Sequence, residues 1–364
     1  MTHFLKDILR QPEELERTIE YLCRPRLPAL VAAAEAIRGA RHVYLTGIGS
    51  SWHAALNVSV LFHQQAYPVY LHDAAELLAF AAFPKDSAMI LISRSGKSTE
   101  IVQLAAKARK AGVTVIGITN VPEGTLAKAA HHAIVMPIAL DHAISVSTYT
   151  TLALAAGLLA SSMTGALHSA LNASLSKAFV EAGRTIPRWQ EQIASSAWLK
   201  PHSSTYFLAR GSSLGSAYEA RLMWEEGVKT PATAMGTGSF RHGPQEIVAP
   251  AGASPAETAD KAMRFGIWID GSVMREQDLA VARDLRKLGA RAMLIGQKLS
   301  EDAGDLVFQL PAIPAEWQFL IDVIPAQLVA ERLAQLSGVD CDTFRLCSFV
   351  VEDEGGLLPK DSKS

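Results

Sequence analysis

Several features that mark particular classes of protein are scarce in this 364-residue sequence. It has three cysteines, Cys23, Cys341 and Cys347, without C-x-x-C spacing, which argues against a disulfide framework or a zinc site. Lysine and arginine (34) do not outnumber aspartate and glutamate (36), so no basic excess attracts nucleic acid. We therefore expect a protein of the reducing cytoplasm that has no nucleic-acid partner.

Signals for export, membrane insertion and metal binding are missing as well. The first seventeen residues are rich in charged side chains and lack the apolar core of a signal peptide. The most apolar segment, Thr151–Leu159, is too short to cross a bilayer. No H-E-x-x-H or comparable spacing predicts a metal site. We expect neither a membrane partner nor a metal or other cofactor.

What the sequence does contain is a serine-rich turn, Ser93–Ser98, between an apolar run and an alanine-rich helical pattern. Unpaired amides at a helix start attract anions, and the three serines add hydroxyl donors around Gly96. Leu91 stands where a Walker A loop needs glycine, so a nucleoside triphosphate is not the first expectation. The turn predicts a phosphate site, with a simple N-capped turn as the alternative.

An approximate internal duplication runs through the chain. Val43–Trp52 corresponds to Tyr206–Leu214 in the second half of the chain. The pattern of each segment predicts a strand that ends in Gly-Ser-Ser before a helix. A later pair of predicted strands, beginning at Gly112, corresponds to a second pair that begins at Gly289. The second copy has Phe265–Val273 in place of the serine-rich turn. We therefore expect two similar units and one phosphate pocket, in the first.

Short apolar runs alternate with helical-period stretches in both units, which is the pattern of βαβ units. The sequence predicts an α/β fold with two tandem doubly wound, flavodoxin-like parallel sheets, an N-terminal helical arm and an extended C-terminal tail. The expected bounds are 1–40 for the arm, 41–195 for the first domain with its linker helix, 196–345 for the second domain and 346–364 for the tail. Ligands of such sheets bind at the carboxyl ends of the strands, where the serine-containing turns are predicted.

Individual helices can also be predicted from the pattern. Expected helices are Glu13–Tyr21, Leu27–Ile37, a long region from Thr150 to Ser195 broken near Pro187, and Pro325–Gly338. In the second unit Ala217–Glu226 is helical in pattern, and Glu219 and Glu226 are seven residues apart, which places them on one face. A carboxylate there could remove a proton from carbon next to a carbonyl. The alternative is a solvated acidic face paired with Arg221 and Lys229.

A glycine-rich loop, Gly236–Glu246, follows and contains Arg241 and His242. A histidine in a flexible loop ahead of a helix is well placed to move protons near neutral pH. A lone loop histidine can equally be structural or exposed, so the loop by itself leaves both interpretations open.

Together these features resemble the sugar isomerase (SIS) domain family, most closely the tandem-SIS isomerase part of glucosamine-fructose-6-phosphate aminotransferase and its stand-alone relatives. The resemblance covers nearly the whole chain, from Phe4 to Glu352. The matching segments are Gly49–His53, Ser93–Ser98, Val146–Thr148, Glu226, Phe240–Pro244 and Pro325–Asp340.

This resemblance implies a hexose 6-phosphate substrate. The implied substrate-binding residues are Ser50, Ser51, Ser93, Arg94, Ser95, Ser98 and Ser147. Glu226 is implied to shuttle a proton between C1 and C2, and His242 to assist ring opening. The resemblance also implies a homodimer in which His242 reaches the active site of the neighbouring subunit.

The sequence departs from the family pattern in several places. It starts at the helical arm, so we expect no glutaminase activity. The C-terminal loop, Asp340–Val350, lacks the lysine that can form a Schiff base with the open sugar. His142 stands where relatives often have glutamate, and Met223 where a lysine contributes to the sugar pocket.

The expected function is a phosphosugar isomerase or deaminase that acts on an amino-sugar 6-phosphate, such as glucosamine 6-phosphate, to give fructose 6-phosphate and ammonia. Two alternatives stay open: a fructosamine-6-phosphate deglycase, and a non-catalytic phosphosugar sensor. The presence of both Glu226 and His242 favours an enzyme, since a sensor needs phosphate-binding serines but no proton shuttle.

Overall fold

The computed structural model describes residues 1–136, 138–248, 263–353 and 355–357. The chain forms two compact units. The N-terminal unit consists of Glu14–Ala173 with Asp342–Ser364, and the C-terminal unit of Met1–Glu13 with Ser174–Cys341. The domain bounds expected from the sequence stay a prediction, and residues 354 and 358–364 of the expected tail lie outside the described residues.

The N-terminal unit contains a five-stranded parallel sheet of order β2-β1-β3-β4-β5. Its strands are β1 His42–Thr46, β2 Tyr70–Leu71, β3 Ser87–Ile92, β4 Thr114–Thr119 and β5 His132–Val135. In register, Thr46 of β1 pairs with Leu91 of β3, and Ile92 of β3 with Ile118 of β4. Every residue of β3 is buried, as expected for a central strand covered on both faces.

Helices connect these strands and carry the chain into the other unit. They are α1 His3–Cys23, α2 Leu27–Arg38, α3 Ser50–His63, α4 Ala74–Phe80, α5 Thr99–Lys110, α6 Thr125–Ala129, α7 Ser147–Thr164 and α8 Ser169–Ala194. The chain passes between the units within α1 and α8. A buried apolar cluster that includes Met89, Leu104 and Val115 packs α5 against the sheet.

The C-terminal unit contains a second five-stranded parallel sheet, of order β10-β9-β8-β6-β7. Its strands are β6 Thr205–Ala209, β7 Thr233–Gly236, β8 Arg264–Trp268, β9 Arg291–Gly296 and β10 Leu306–Gln309. Counted from its own first strand, this order is 2-1-3-4-5 read backwards, which is the order of the first sheet. The structure therefore confirms the two parallel sheets that the sequence predicts.

The helical elements of the C-terminal unit are short between β6 and β8. They are a 3₁₀ turn Gly211–Ser213, α9 Leu214–Met223, a π-helical turn Trp224–Val228, α10 Thr237–Phe240 and a 3₁₀ turn Pro244–Ile247. After β8 come α11 Arg275–Lys287, 3₁₀ turns at Glu301–Ala303 and Ala315–Leu320, and α12 Ile324–Leu336. The edge strand β10 is covered by α8, whose Gln192 side chain donates to Val307 O at 3.0 Å.

Two helix predictions need correction. α1 begins at His3, ten residues before the expected start, and Pro12 lies inside it. Pro187 likewise lies inside α8 without ending it. The break in the long helical region falls instead at Gly165, whose φ of 78° is left-handed and ends α7 as glycine often does.

Among the described residues, none of the helices combines the length and the apolar character that a bilayer crossing needs.

Candidate functional site

The serine loop, Ser93–Ser98, follows β3 directly and is held by its own hydroxyls. Ser93 Oγ accepts a bond from the Gly96 amide and Ser95 Oγ one from the Lys97 amide, both at 3.1 Å. Both serines are buried. A hydroxyl that accepts in this way keeps a hydrogen to donate, so the two serines can still bind an anion.

Glycines allow the loop to pack closely against the turn that follows β4. Gly96 has a φ of 63°, a left-handed conformation that favours glycine, and its carbonyl accepts from the Leu126 amide at 2.9 Å. A Cβ on Gly124 would lie 2.8 Å from the Ser95 carbonyl oxygen. Only glycine at position 124 therefore leaves room for the backbone of Ser95.

The first turn of α5 offers its amides at the end of the loop. Ser98 is the N-cap residue, with φ −52° and ψ 133°, and among the described residues its side chain makes no capping hydrogen bond. An ordinary N-capped turn, the alternative expectation for this stretch, would use that hydroxyl for the helix. The Ser98 hydroxyl is therefore available to a ligand at the positive end of α5.

Arg94 joins the serine loop to two other parts of the same unit. Its guanidinium donates to Ala143 O at 2.9 Å and to Phe349 O at 2.7 Å. Its own carbonyl accepts from the Asn120 amide at 3.2 Å. The sequence predicts Arg94 as a substrate ligand, and the structure adds these contacts to the backbone on either side of the loop.

A C-terminal segment, residues 344–351, lies against the serine loop. Besides the bond from Arg94 to Phe349, the Thr99 amide in the first turn of α5 donates to Val351 O at 3.0 Å. The Phe349 ring lies 6.4 Å from the His142 ring and 5.5 Å from the Phe344 ring. The Thr99 amide, one of those at the start of α5 that could bind an anion, therefore donates to this segment instead.

The Gly-Ser-Ser turn after β1 ends at the same edge of the sheet. Ser50 opens α3 and Ser51 is buried behind it, after Gly49 with a φ of 56°. A Cβ on Gly47 would lie 2.5 Å from the Ser51 backbone, so the turn requires glycine there. Because β1 and β3 are neighbours, this turn and the serine loop follow adjacent strands.

The amides at the start of α7, at Ser147, are bound by a carboxylate of the same chain, which the sequence analysis did not predict. Asp141 accepts from the amides of Val146, Ser147 and Thr148 at 2.8, 3.1 and 2.9 Å, and also from the Thr148 hydroxyl. These amides are paired within the chain, so Ser147 can contribute to a ligand only through its side chain. The structure brings Ser50, Ser51, the serine loop and Ser147 to the strand ends of one unit.

Glu226 lies in the C-terminal unit, in the π-helical turn that follows α9. A π-turn contains more residues than an α-turn, so the α-helical spacing used to place Glu219 and Glu226 on one face does not hold unchanged over this segment. Glu219 is fully buried, whereas Glu226 is partly exposed. The neighbouring Glu225 is exposed and pairs with Arg221 at 3.7 Å, which is the solvated acidic face of the alternative interpretation.

His242 also lies in the C-terminal unit, in the turn after α10. Its amide donates to Ser239 O at 3.0 Å, and its side chain is exposed. Gly243 follows with a φ of 120°, which only glycine adopts readily. The two predicted catalytic residues thus belong to one unit and the predicted phosphate-binding serines to the other.

The second Gly-Ser-Ser turn, Gly211–Ser213, is filled by the chain itself. Ser213 Oγ donates to Asp322 Oδ2 at 2.6 Å, and Ser212 Oγ donates to Ala315 O at 3.2 Å. Asp322 is fully buried, and this burial raises the pKa of its carboxyl to about 6 against hydrogen bonds that lower it. The sequence signal that could have revealed this buried carboxyl is an acidic residue inside the apolar run 319–324.

Comparison with known proteins finds a family match within the N-terminal unit. Residues 36–161 match the SIS domain family. The glutamine–fructose-6-phosphate aminotransferase of Pyrobaculum aerophilum is 27% identical over 352 residues, covering 93% of this chain and 56% of that protein. The same enzyme of Pyrococcus horikoshii is 26% identical over 357 residues, with the same coverage. The chain spans just over half the length of these curated relatives.

Solved structures share the fold over nearly the whole chain. A glucosamine-6-phosphate deaminase from Thermotoga maritima has a TM-score of 0.78 at 23% identity, over 96% of this chain and 99% of that one. The C-terminal domain of glucosamine-fructose-6-phosphate aminotransferase from Francisella tularensis has a TM-score of 0.80 at 20% identity, over 94% and 98%. At these identities the likeness shows the fold.

Proposed function

Because residues 36–161 match the SIS domain family, we propose that the chain is an aldose–ketose type phosphosugar isomerase and deaminase that acts on an amino-sugar 6-phosphate. The reaction we propose converts glucosamine 6-phosphate and water to fructose 6-phosphate and ammonia. The observation that carries the proposal is the serine loop, where buried hydroxyls surround a glycine backbone at the start of α5.

The phosphate is proposed to bind at this loop. Ser93 and Ser95 can each donate a hydroxyl hydrogen, and the Ser98 hydroxyl is not used as a helix cap. The positive end of α5 favours the phosphate charge, and Arg94 and Lys97 add two cationic side chains to the loop. A phosphate held far from the reacting carbons fixes the orientation of the sugar.

The chemistry is proposed to take place at C1 and C2 of the open-chain sugar. Glu226 removes the proton from C2 of the aldehyde while O1 takes a proton from water, which leaves an enolamine with a hydroxyl on C1 and the amine on C2. Return of the proton to C1 gives a protonated imine at C2, and the hydroxide left by that water then adds to C2 and displaces ammonia. His242 is proposed to move the proton that opens the sugar ring.

This route is compatible with the departures from the family pattern. Hydrolysis of the C2 imine by water needs no amine from the protein, so residues 340–350 need no lysine. The names of the relatives also support the proposal, since one is a glucosamine-6-phosphate deaminase and the other a glutamine–fructose-6-phosphate aminotransferase. The proposal includes a cytoplasmic homodimer in which the exposed His242 serves the neighbouring subunit.

The test combines binding and turnover. Thermal shifts are measured with glucosamine 6-phosphate, unphosphorylated glucosamine, fructose 6-phosphate and inorganic phosphate, and ammonia release is followed for the compounds that stabilise the protein. We expect stabilisation by both sugar phosphates and release of ammonia from glucosamine 6-phosphate. Glu226→Gln should still be stabilised but release no ammonia, because the carboxylate acts in the transition state.

Two other outcomes overturn the proposal. Release of an amino acid from a fructosamine 6-phosphate, with glucosamine 6-phosphate untouched, would establish a deglycase instead. Binding of sugar phosphates with no turnover of either class, by wild type and Glu226→Gln alike, would establish a sensor.

A further inference from the structure

The turn that carries Glu226 is unusual in its backbone. It is a π-helical turn, Trp224–Val228, and it ends at Lys229, whose φ of 57° and ψ of 34° are left-handed. The Lys229 amide still donates to Trp224 O, as does the Thr230 amide at 3.0 Å. Left-handed conformations are unfavourable for residues with a Cβ, and π-turns inside α-helices are frequent at functional sites.

One end of this turn is fixed by packing. Trp224 is fully buried, and its ring lies 4.8 Å from the ring of Phe207 in an edge-on contact. Phe207 belongs to the interior strand β6, so the start of the turn is attached to the sheet.

Two helix positions that could supply a backbone donor to the Glu226 carbonyl do not do so. The amide four residues on belongs to Thr230 and donates to Trp224, and the residue five on is Pro231, which has no N–H. The Lys229 ammonium donates to this carbonyl instead. The side chain of Lys229, a residue with a left-handed backbone, thus supplies a hydrogen bond to the backbone carbonyl of Glu226, the proposed base.

We propose that Lys229 is a positioning residue, which holds the π-turn in the form that presents the Glu226 carboxylate to C1 and C2. This inference rests on the proposed function of Glu226. Lys229 need not touch the substrate, because it acts through the backbone of the residue that does. The strain at Lys229 is then retained because the geometry of Glu226 depends on it.

Three variants separate positioning from stability, with ammonia release from glucosamine 6-phosphate as the assay. Lys229→Met and Lys229→Gly should lower kcat about 10- to 100-fold with KM unchanged, since a misplaced base loses rate and not binding. Lys229→Gly removes the strain as well, so its Tm should equal or exceed that of wild type. Lys229→Arg keeps a cationic donor and should retain most of the activity.

Lys298 provides a matched control. It is a second lysine of the same unit with a left-handed φ, 50°, and its side chain is exposed. Lys298→Gly should raise or preserve Tm without changing kcat. A Lys229→Gly enzyme with wild-type kcat would overturn the inference, as would a kcat loss in Lys298→Gly as large as in Lys229→Gly.

A readout that does not depend on turnover distinguishes this inference from the proposed function. Hydrogen exchange over residues 224–230 should be faster in Lys229→Met than in wild type, because the turn loses its tie to Glu226. Unchanged exchange would contradict the positioning role even if the enzyme is active. Full activity of Glu226→Gln would instead refute the proposed function, and with it any role of Lys229 in catalysis.

Discussion

Replacing Asp322 with asparagine should change how the stability of the protein depends on pH. Asp322 is wholly buried, and burial raises the pKa of its carboxyl from 3.8 to about 6, even though hydrogen bonds from Ser213, Ser216, Gln318 and Trp268 lower it. Between these two values the folded state holds a proton that the unfolded state has released. The free energy of unfolding of the wild type therefore falls as the pH rises through this window.

The size of the effect follows from the two pKa values. Each pKa unit corresponds to about 1.4 kcal/mol, so the full difference between acid and neutral pH is about 3 kcal/mol. Between pH 4.5 and pH 7.5 the unfolded carboxyl is already largely ionised at the start, and about 2 kcal/mol of that difference is expressed. The asparagine side chain cannot ionise, so this contribution is missing from the Asp322→Asn variant.

Urea unfolding of both proteins at pH 4.5 and pH 7.5 measures the difference. From pH 4.5 to pH 7.5 the free energy of unfolding of the variant should rise by about 2 kcal/mol relative to that of the wild type, whatever its stability at pH 4.5. Ser213→Ala removes a hydrogen bond that lowers the pKa of Asp322, so the pH dependence of that protein should be steeper. A difference between wild type and Asp322→Asn that does not vary with pH would refute the reasoning.

Three further predictions concern the serine loop. Gly124→Ala places a Cβ 2.8 Å from the Ser95 carbonyl, so it should displace the loop and weaken glucosamine 6-phosphate binding about tenfold by calorimetry. Ser95→Ala should weaken that binding by a similar factor but leave the affinity for glucosamine unchanged, and equal losses would contradict the phosphate assignment. Arg94→Met removes the bond to Phe349 O, so limited proteolysis should cut the C-terminal segment about tenfold faster, and an unchanged rate would contradict that contact.

Much of the fold could be predicted because it depends on local pattern. Short apolar runs separated by helical periods predict both parallel sheets, and a strand followed by Gly-Ser-Ser marks the first turn of each. The serine loop was predicted at the carboxyl end of β3, where the structure has it. These features share one property, that each is encoded within about ten consecutive residues.

The features that were missed depend on distant or backbone contacts. Asp141 binds amides five to seven residues further on, beyond the spacing of an ordinary helix cap. Asp322 meets Ser213 across 109 positions of sequence. The contact of Arg94 with Phe349 uses a backbone carbonyl, which every residue has, so no residue type signals it. The π-turn at Glu226 is defined by its backbone hydrogen bonds, which no residue type signals.

The most direct measurement is a crystal structure of Glu226→Gln with glucosamine 6-phosphate, in which turnover cannot consume the sugar. We expect phosphate oxygens within about 3 Å of Ser95 Oγ and of the Ser93 and Ser98 hydroxyls. A sugar phosphate that binds elsewhere on the chain, with this loop keeping only its own hydrogen bonds, would contradict the phosphate assignment and the function built on it.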